Sequence, residues 1–141
     1  MNVPDTSVLV AGFVASHRFN RDALPALGEV RRQGNLVAHT IAETYSVLSA
    51  PGGVYRAEPG AVVSYLDQFV PDEPVPVRPS AYMEALDLLA GAGRAGGAVY
   101  DALIGLAARD AGATLLSLDG RAQPVYELCG AQVRSLADLG R

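Results

Sequence analysis

Four acidic residues occupy positions from which their side chains could bind one metal ion. Asp5 follows a short apolar segment at the start of the chain, and Asp119 follows the apolar run 114–118. Asp101 and Glu43 lie in segments with the composition of helices. Because like charges about 4 Å apart repel by about 4 kcal/mol at an effective dielectric constant near 20, a pocket of ionised acids needs a cation. Carboxylate oxygens without Cys or His companions favour Mg²⁺ or Mn²⁺ over zinc.

Short helices and strands alternate along the chain, which predicts a parallel sheet covered by helices on both faces. In such folds, ligands bind beyond the carboxyl ends of the strands. Asp5 and Asp119 are both predicted at carboxyl ends, so a shared site is geometrically plausible. The predicted strands are 3–5, 36–38, 75–77, 114–118 and 132–135. The predicted helices are 7–16, a second that starts at 20 or 22 and ends at 33, a third that starts from a cap at 40, and then 59–69, 80–92, 99–111 and 124–129.

Residues with capping preferences mark the ends of two predicted helices. Asn20 or Asp22 is the candidate N-cap of the second helix, and Gly34 is expected to end it. Thr40 is the candidate N-cap of the third helix, and Glu43 follows it in the spacing of a capping box.

Length and composition predict a single domain over residues 1–141 in a reduced cytoplasmic protein. Half of the residues are hydrophobic, so the chain can bury a substantial core. We find no signal-peptide pattern and no stretch near the roughly 20 apolar residues that span a membrane, and the single Cys129 cannot form an internal disulfide. The net charge of −4 argues mildly against a broad electrostatic nucleic-acid binder, although all eleven cationic residues are Arg, which binds phosphate bidentately.

Several segments resemble motifs of the PIN-domain ribonucleases. Pro4-Asp5-Thr6-Ser7 is similar to the opening of that family, and the segments 100–104 and 112–119 are similar to its C-terminal half. By length and pattern the chain most resembles VapC, the toxin of bacterial toxin–antitoxin pairs. The resemblance covers essentially the whole chain. It implies a PIN-like three-layer α/β/α fold with a central, mostly parallel sheet.

The resemblance also implies roles for the four acids. The family's acidic residues map onto Asp5, Glu43, Asp101 and Asp119, and all four are expected to be catalytic. The expected metal ligands among them are Asp5, Asp101 and Asp119. The last family motif is usually Thr-x-Asp, and the chain has Ser117 in place of its Thr, which keeps the hydroxyl. Many relatives carry another acid or Asn shortly after this motif, and this chain has neither there, so the number of metal ions stays open.

The implied activity is metal-dependent hydrolysis of RNA phosphodiester bonds. A bound Mg²⁺ or Mn²⁺ would lower the pKa of an attacking water and stabilise charge on the phosphate oxygens. Ser7 and Ser117 are candidate hydrogen-bond partners of the acids. The implied partners are a VapB-type antitoxin, RNA and a second copy of the chain in a homodimer. The antitoxin's C-terminal segment would cover the acidic pocket and an adjacent helix groove, with an Arg entering the pocket.

Each acid also has a purely structural interpretation. Asp5 suits the N-cap of the following helix, and Asp101 suits the first turn of its helix. Glu43 suits the capping box described above, and Asp119 suits a turn. His39 lies four residues before Glu43 and is a weak candidate ligand, because a hydrogen-bonded His at a strand end is the more common arrangement.

Two other functions stay open. A metal-dependent phosphatase would use Asp5 as its nucleophile, and such enzymes often place a second Asp two residues later, where this chain has Ser7. A non-catalytic PIN-like binding module would be expected to have lost acids that this chain retains.

Three tyrosines are candidates for stacking on RNA bases: Tyr45, Tyr55 and Tyr100. For Tyr45, packing in the core is the favoured interpretation. The loops around 51–55 and 91–97 are expected to influence which RNA is cut, and the sequence does not predict that target.

Overall fold

The computed structural model describes residues 1–137, and the predicted end of the domain at residue 141 lies outside them. The strands in the described part are β1 (Asn2–Pro4), β2 (Thr114–Ser117) and β3 (Gln132–Ser135). They form a parallel sheet in the order β1-β2-β3. Val3 pairs with Leu115, and Leu115 pairs in turn with Val133. The carboxyl ends of β1 and β2 therefore lie side by side.

Seven helices surround this sheet within residues 1–137. Each predicted helix is present, and each predicted end lies within three residues of the observed one. No helix in this part of the chain is long and apolar enough to cross a membrane. The helices are α1 (Thr6–Phe13), α2 (Asn20–Gln33), α3 (Ala38–Ser49), α4 (Pro59–Asp67), α5 (Pro79–Gly91), α6 (Ala98–Asp110) and α7 (Gln123–Leu128).

Both faces of the sheet are buried under helices. Leu115 and Leu116 are neighbours in β2, so their side chains point to opposite faces, and both are fully buried. Leu116 packs in a cluster with residues of α1, α2, α3 and α4, whereas Leu115 packs in a cluster with residues of α6 and α7. This arrangement confirms the predicted three-layer α/β/α fold with a parallel central sheet.

The helix that carries Asp101 is held from its outer side by α5. Residues of α5 and α6 share a third buried cluster, which includes Ala85 and Leu103. At the end of α6, the Arg109 guanidinium donates to both carboxylate oxygens of Glu84, at 2.6 and 3.0 Å. Bidentate pairs of this kind fix orientation as well as distance, so α6 is held at a defined angle over the sheet.

The predicted strand 36–38 is wrong, because α3 begins at Ala38. Leu36 and Val37 are fully buried, and short buried apolar runs do not distinguish a strand from another buried segment. Val37 makes only an isolated parallel bridge with Val75. The predicted edge strand around Val75 is reduced to the same bridge.

The predicted N-caps of α2 and α3 are also wrong, since both helices use other residues. α3 begins two residues before Thr40, whose buried hydroxyl lies inside the helix without a hydrogen-bond partner. The capping box with Glu43 is therefore not formed. Phe19, rather than Asn20 or Asp22, occupies the N-cap position of α2. The Asn20 amide instead donates to carbonyl oxygens at the end of α1, at 2.9 Å for the nearest of them.

Candidate active site

Asp5 lies at the junction of β1 and α1, as the sequence predicts. It is the N-cap residue of α1, and its side chain accepts a hydrogen bond from Val8 N–H at 3.3 Å. The structural role considered for this acid is therefore confirmed. Capping alone does not require burial, yet the residue is only 2% exposed.

Three hydroxyl groups hold the Asp5 carboxylate. Ser7 donates to Oδ1, while Ser117 and Tyr126 donate to Oδ2 at 2.6 and 2.8 Å. Together with Val8 N–H, these donors place two hydrogen bonds on each oxygen of Asp5, so an ion bound to Asp5 would replace at least one of them. Burial raises the pKa of Asp5, and the hydrogen bonds oppose that shift without cancelling it, because they stabilise the charged form. Ser7 and Ser117 thus take the hydrogen-bonding role that the sequence suggested for them.

The same two serines connect Asp5 to the backbone that follows β2. Ser7 Oγ accepts from Leu118 N–H at 2.9 Å, and Ser117 Oγ accepts from Asp119 N–H at 3.0 Å. Each hydroxyl therefore receives one hydrogen bond from the loop and donates one to Asp5. This arrangement fixes the start of the loop, and so the backbone of Asp119, relative to Asp5.

Asp101 lies in the first turn of α6 and is partly buried. Burial raises the pKa of its carboxyl group to about 6, and the charges of Glu43, Asp119 and Asp5 contribute to that rise in that order, against a lowering by Arg121. Acids from four separate parts of the chain therefore lie within electrostatic reach of one another.

Glu43 and Asp119 complete this acidic group from α3 and from the loop after β2. Glu43 lies on α3, where its Oε2 is 3.5 Å from His39 Nε2. Asp119 is partly exposed, and its Oδ1 accepts from Arg121 N–H at 3.0 Å. The turn considered for Asp119 is thus present, and it leaves the other oxygen, Oδ2, outside that hydrogen bond.

The acids do not form a ready-made metal cage. Among residues 1–137, no three His, Cys, Asp or Glu side chains lie close enough together to hold an ion as they stand. The donor set nevertheless fits a hard divalent cation, because it consists of carboxylates whose mutual repulsion an ion would relieve. Mg²⁺ usually takes only one or two carboxylates and keeps several waters, so a complete protein cage is not required.

Tyr126 is the residue of the site that the sequence interpretation missed. Its side chain is 1% exposed, and its hydroxyl donates to Asp5 at the end of β1. Burial is the first cause of its raised pKa, followed by the charges of Asp5 and Asp101. A buried tyrosine hydroxyl generally needs a hydrogen-bond partner, and this rule was the one signal in the sequence for the role of Tyr126.

The sequence favours core packing for Tyr45. Its side chain is instead 41% exposed, so that prediction is wrong.

Comparison with known sequences places the chain in a family. The family model of the PIN domain matches residues 3–128. The chain is 41% identical over 133 residues to Ribonuclease VapC40 from Mycobacterium tuberculosis, which covers 94% of this chain and 97% of the relative. It is 34% identical over 130 residues to Ribonuclease VapC27 of the same species, covering 92% of each.

Two solved structures share the fold. FitAcB from Neisseria gonorrhoeae matches with a TM-score of 0.72 and 15% identity, over 98% of this chain and 99% of that one. VapBC2 from Rickettsia felis, solved with a fragment of promoter DNA, matches with a TM-score of 0.66 and 16% identity, over 95% and 97%. At these identities the structures establish the architecture alone, and it agrees with the predicted PIN-like fold. From the family match and the identity to its sequence relatives, the chain belongs to the PIN-domain family and, within it, to the VapC group.

Proposed function

We propose that the chain is an endoribonuclease that acts as the toxin of a VapBC-type toxin–antitoxin pair. In this proposal, RNA phosphodiester bonds are hydrolysed at the site formed by Asp5, Glu43, Asp101 and Asp119. The observation that carries it is the buried Asp5 carboxylate, which three hydroxyl groups hold at the end of β1 and which Ser117 links to Asp119. The sequence identity to ribonucleases of the VapC group supports RNA hydrolysis as the reaction.

We propose Asp5, Asp101 and Asp119 as the residues that hold Mg²⁺ or Mn²⁺. Their support is the chemistry of the donors, which are hard oxygens, and the unbalanced negative charge that contributes to the raised pKa of Asp101. When bound, the ion supplies Lewis-acid stabilisation of the phosphate and a more acidic water.

The protein's own residues supply orientation. Ser7, Ser117 and Tyr126 hold both oxygens of Asp5, so its carboxylate cannot rotate freely. Ser117 also fixes the Asp119 backbone. We assign Glu43 the role of orienting the attacking water, because it is partly exposed and its charge acts on Asp101 from a separate helix.

An apolar groove on the surface supports the proposed antitoxin partner. It lies between α3 and α4 and has a volume of about 450 Å³. The groove shares Ala42 with a depression that Glu43 lines, so a peptide segment in this groove would lie next to that depression. We expect the antitoxin to place apolar side chains in the groove, which is lined mainly by Ile41, Tyr45, Val63, Leu66 and Val70.

A second apolar surface supports the proposed homodimer. Tyr82, Met83 and Leu86 are exposed along α5, and side chains at such spacing lie on one side of a helix. Burial of this surface against a second copy would remove it from water. Replacement Met83→Glu is expected to convert a dimer to a monomer in analytical ultracentrifugation.

The phosphatase alternative has less support. Such enzymes often place a second Asp two residues after the nucleophile, and this chain has no acid there. Ser7, at the position of the second phosphatase Asp, donates to Asp5.

Cleavage of total bacterial RNA by the purified protein tests the proposal, with Mg²⁺, Mn²⁺ or EDTA present. The informative variant is Asp101→Asn, which keeps the size of the side chain and removes its charge. Asp87→Asn is the matched control, because it removes an exposed acid of α5 that is not part of the site. Asp5→Asn is a second variant at the centre of the site, and it is also expected to abolish cleavage.

The expected result is a set of discrete cuts that require the metal. These cuts should persist in Asp87→Asn and disappear in Asp101→Asn, while both variants keep the circular dichroism spectrum of the parent protein. Undiminished cleavage by Asp101→Asn would contradict the assignment of the site, and cleavage in EDTA would contradict the need for a metal.

A further inference from the structure

Two aromatic rings lie face to face beside the acids without belonging to the core. The ring centroids of His39 and Tyr100 are 5.4 Å apart, and the ring planes differ by 6°. Tyr100 is 51% exposed. Neither ring is part of the three buried clusters of the described residues. Core packing therefore does not account for this stack.

The stacked pair connects the two helices that carry Glu43 and Asp101. Tyr100 directly precedes Asp101 in α6. His39 lies on α3, one turn before Glu43, and its Nε2 is 3.5 Å from Glu43 Oε2. A molecule resting on these rings would lie at the edge of the acidic site.

Both rings line an open depression of about 360 Å³. This volume lies within the range of small-ligand sites, about 300–1,000 Å³. The remaining lining combines the apolar Ala42 and Val47 with the polar Ser46 and Glu43. A half-exposed aromatic ring beside the apolar Ala42 and Val47 suits a flat aromatic group better than it suits an ion.

We propose that His39 and Tyr100 form a stacking site for one nucleobase of a single-stranded RNA. This inference rests on the proposed ribonuclease function and adds a binding site to it. A base on the open side of Tyr100 would lie beside Glu43, the acid of the site that lines the same depression. Every base has a π-face, so such a site fixes the position of the strand without selecting its sequence.

A peptide of the antitoxin is the competing occupant of the depression. The apolar groove between α3 and α4 has a larger volume, and it shares only Ala42 with the depression. A helix or strand of the antitoxin could bind in that groove instead. The stacked rings of His39 and Tyr100, which have polar edges, are suited to stacking with a nucleobase. RNA is therefore the occupant that the contacts favour.

Fluorescence anisotropy with two labelled probes tests the proposal, in EDTA so that no cleavage occurs. One probe is a single-stranded RNA of random sequence, and the other is an abasic oligonucleotide of equal length. The variants are Tyr100→Ala and Tyr100→Phe. Leu24→Ala is the matched control, because Leu24 is 51% exposed on α2, does not line the depression and lies outside the surfaces proposed for the antitoxin and the dimer.

Loss of the Tyr100 ring is expected to weaken RNA binding by about tenfold, the usual size of a base–aromatic stack. Tyr100→Phe and Leu24→Ala should bind as the parent protein does, and all proteins should bind the abasic probe equally. His39→Ala is expected to weaken binding severalfold. The double variant should bind no more weakly than Tyr100→Ala, because His39 acts by holding the Tyr100 ring.

Equal RNA binding by the parent protein and Tyr100→Ala would overturn the stacking site and leave the ribonuclease proposal intact, provided that the parent protein still cuts total RNA. An equal loss on the abasic probe would also overturn it, because the contact would then not involve bases. Failure of the parent protein to bind or cut any RNA would overturn both proposals. Tyr100→Ala that binds RNA normally but loses a VapB-type peptide would assign the depression to the antitoxin.

Discussion

The hydroxyl of Ser117 joins Asp5 to Asp119, the two acids at the carboxyl ends of neighbouring strands. It donates to Asp5 Oδ2 at 2.6 Å and accepts from Asp119 N–H at 3.0 Å. Ser117 is itself buried, so water cannot easily replace either bond. One side chain therefore sets both the direction of the Asp5 carboxylate and the start of the loop that carries Asp119.

Replacement Ser117→Ala is expected to reduce RNA cleavage by about 10- to 100-fold, the usual effect of removing a hydrogen-bond partner of a metal ligand. It should also destabilise the protein by about 1–3 kcal/mol, because Asp119 N–H and Asp5 Oδ2 each lose a partner. Ser117→Thr keeps the hydroxyl and should retain most of the activity. Cleavage rates and urea unfolding measure the two effects, and equal activity in the Ala and Thr variants would refute the role of the hydroxyl.

Replacement Tyr126→Phe removes one donor from Asp5 and keeps the buried ring. We expect Mn²⁺ to bind about tenfold more weakly, measured by isothermal titration calorimetry, because Asp5 becomes less firmly oriented. Tyr65→Phe is the matched control, since it loses a 2.7 Å hydrogen bond to Leu9 O that does not involve the acids. Both variants should lose stability, and only Tyr126→Phe should lose metal affinity. The same loss of affinity in both would point to a general effect of stability.

Replacement by alanine should change the stability of the protein in opposite directions at Gly28, within α2, and at Gly34, at the end of α2. A Cβ at Gly34 would collide with the backbone oxygen of Asn2 and lie 2.9 Å from Val30 Cα, so Gly34→Ala should destabilise by about 1–3 kcal/mol. A Cβ at Gly28 would meet only the flexible Arg32 side chain, at 3.5 Å. Gly28→Ala should therefore stabilise by about 0.5–1 kcal/mol through helix propensity. Thermal unfolding of the two variants measures both, and shifts of the same sign would contradict the packing of α2 against β1.

The strand ends were the most predictable part of the site. Apolar runs that stop at an acid are a local signal, and in a parallel sheet they place Asp5 and Asp119 at the same edge. The end of α6 was equally predictable, from Gly112. In the structure this residue has a φ of +63°, a conformation that glycine adopts without strain. Local sequence therefore predicted the order of the seven helices and the three strands of the sheet, and it placed two of the four acids at one edge of that sheet.

Contacts between distant segments were not predictable from local patterns. Tyr126 reaches Asp5 from 121 positions away, and nothing in its neighbourhood distinguishes it from an ordinary core aromatic residue. The sequence around Thr40 satisfied the capping-box pattern, yet α3 begins earlier because Val37 is buried and bridged to Val75. In both cases tertiary packing outweighed the local preference.

Replacement Asp101→Asn is expected to stabilise the metal-free protein at pH 7.5 and to lose that advantage towards pH 4. The pKa of Asp101 is about 6 in the folded protein, against 3.8 for an unperturbed Asp side chain. Between these two pKa values the folded state binds more protons than the unfolded state, so the stability of the protein falls as pH rises. Above about pH 6 the ionised Asp101 destabilises the folded protein by its full amount. Solvent screening of a partly exposed group reduces the penalty to about 1 kcal/mol. Thermal unfolding in EDTA from pH 4 to 8 measures it, with Asp87→Asn as the control, and a pH-independent difference would show that the charge of Asp101 is not its cause.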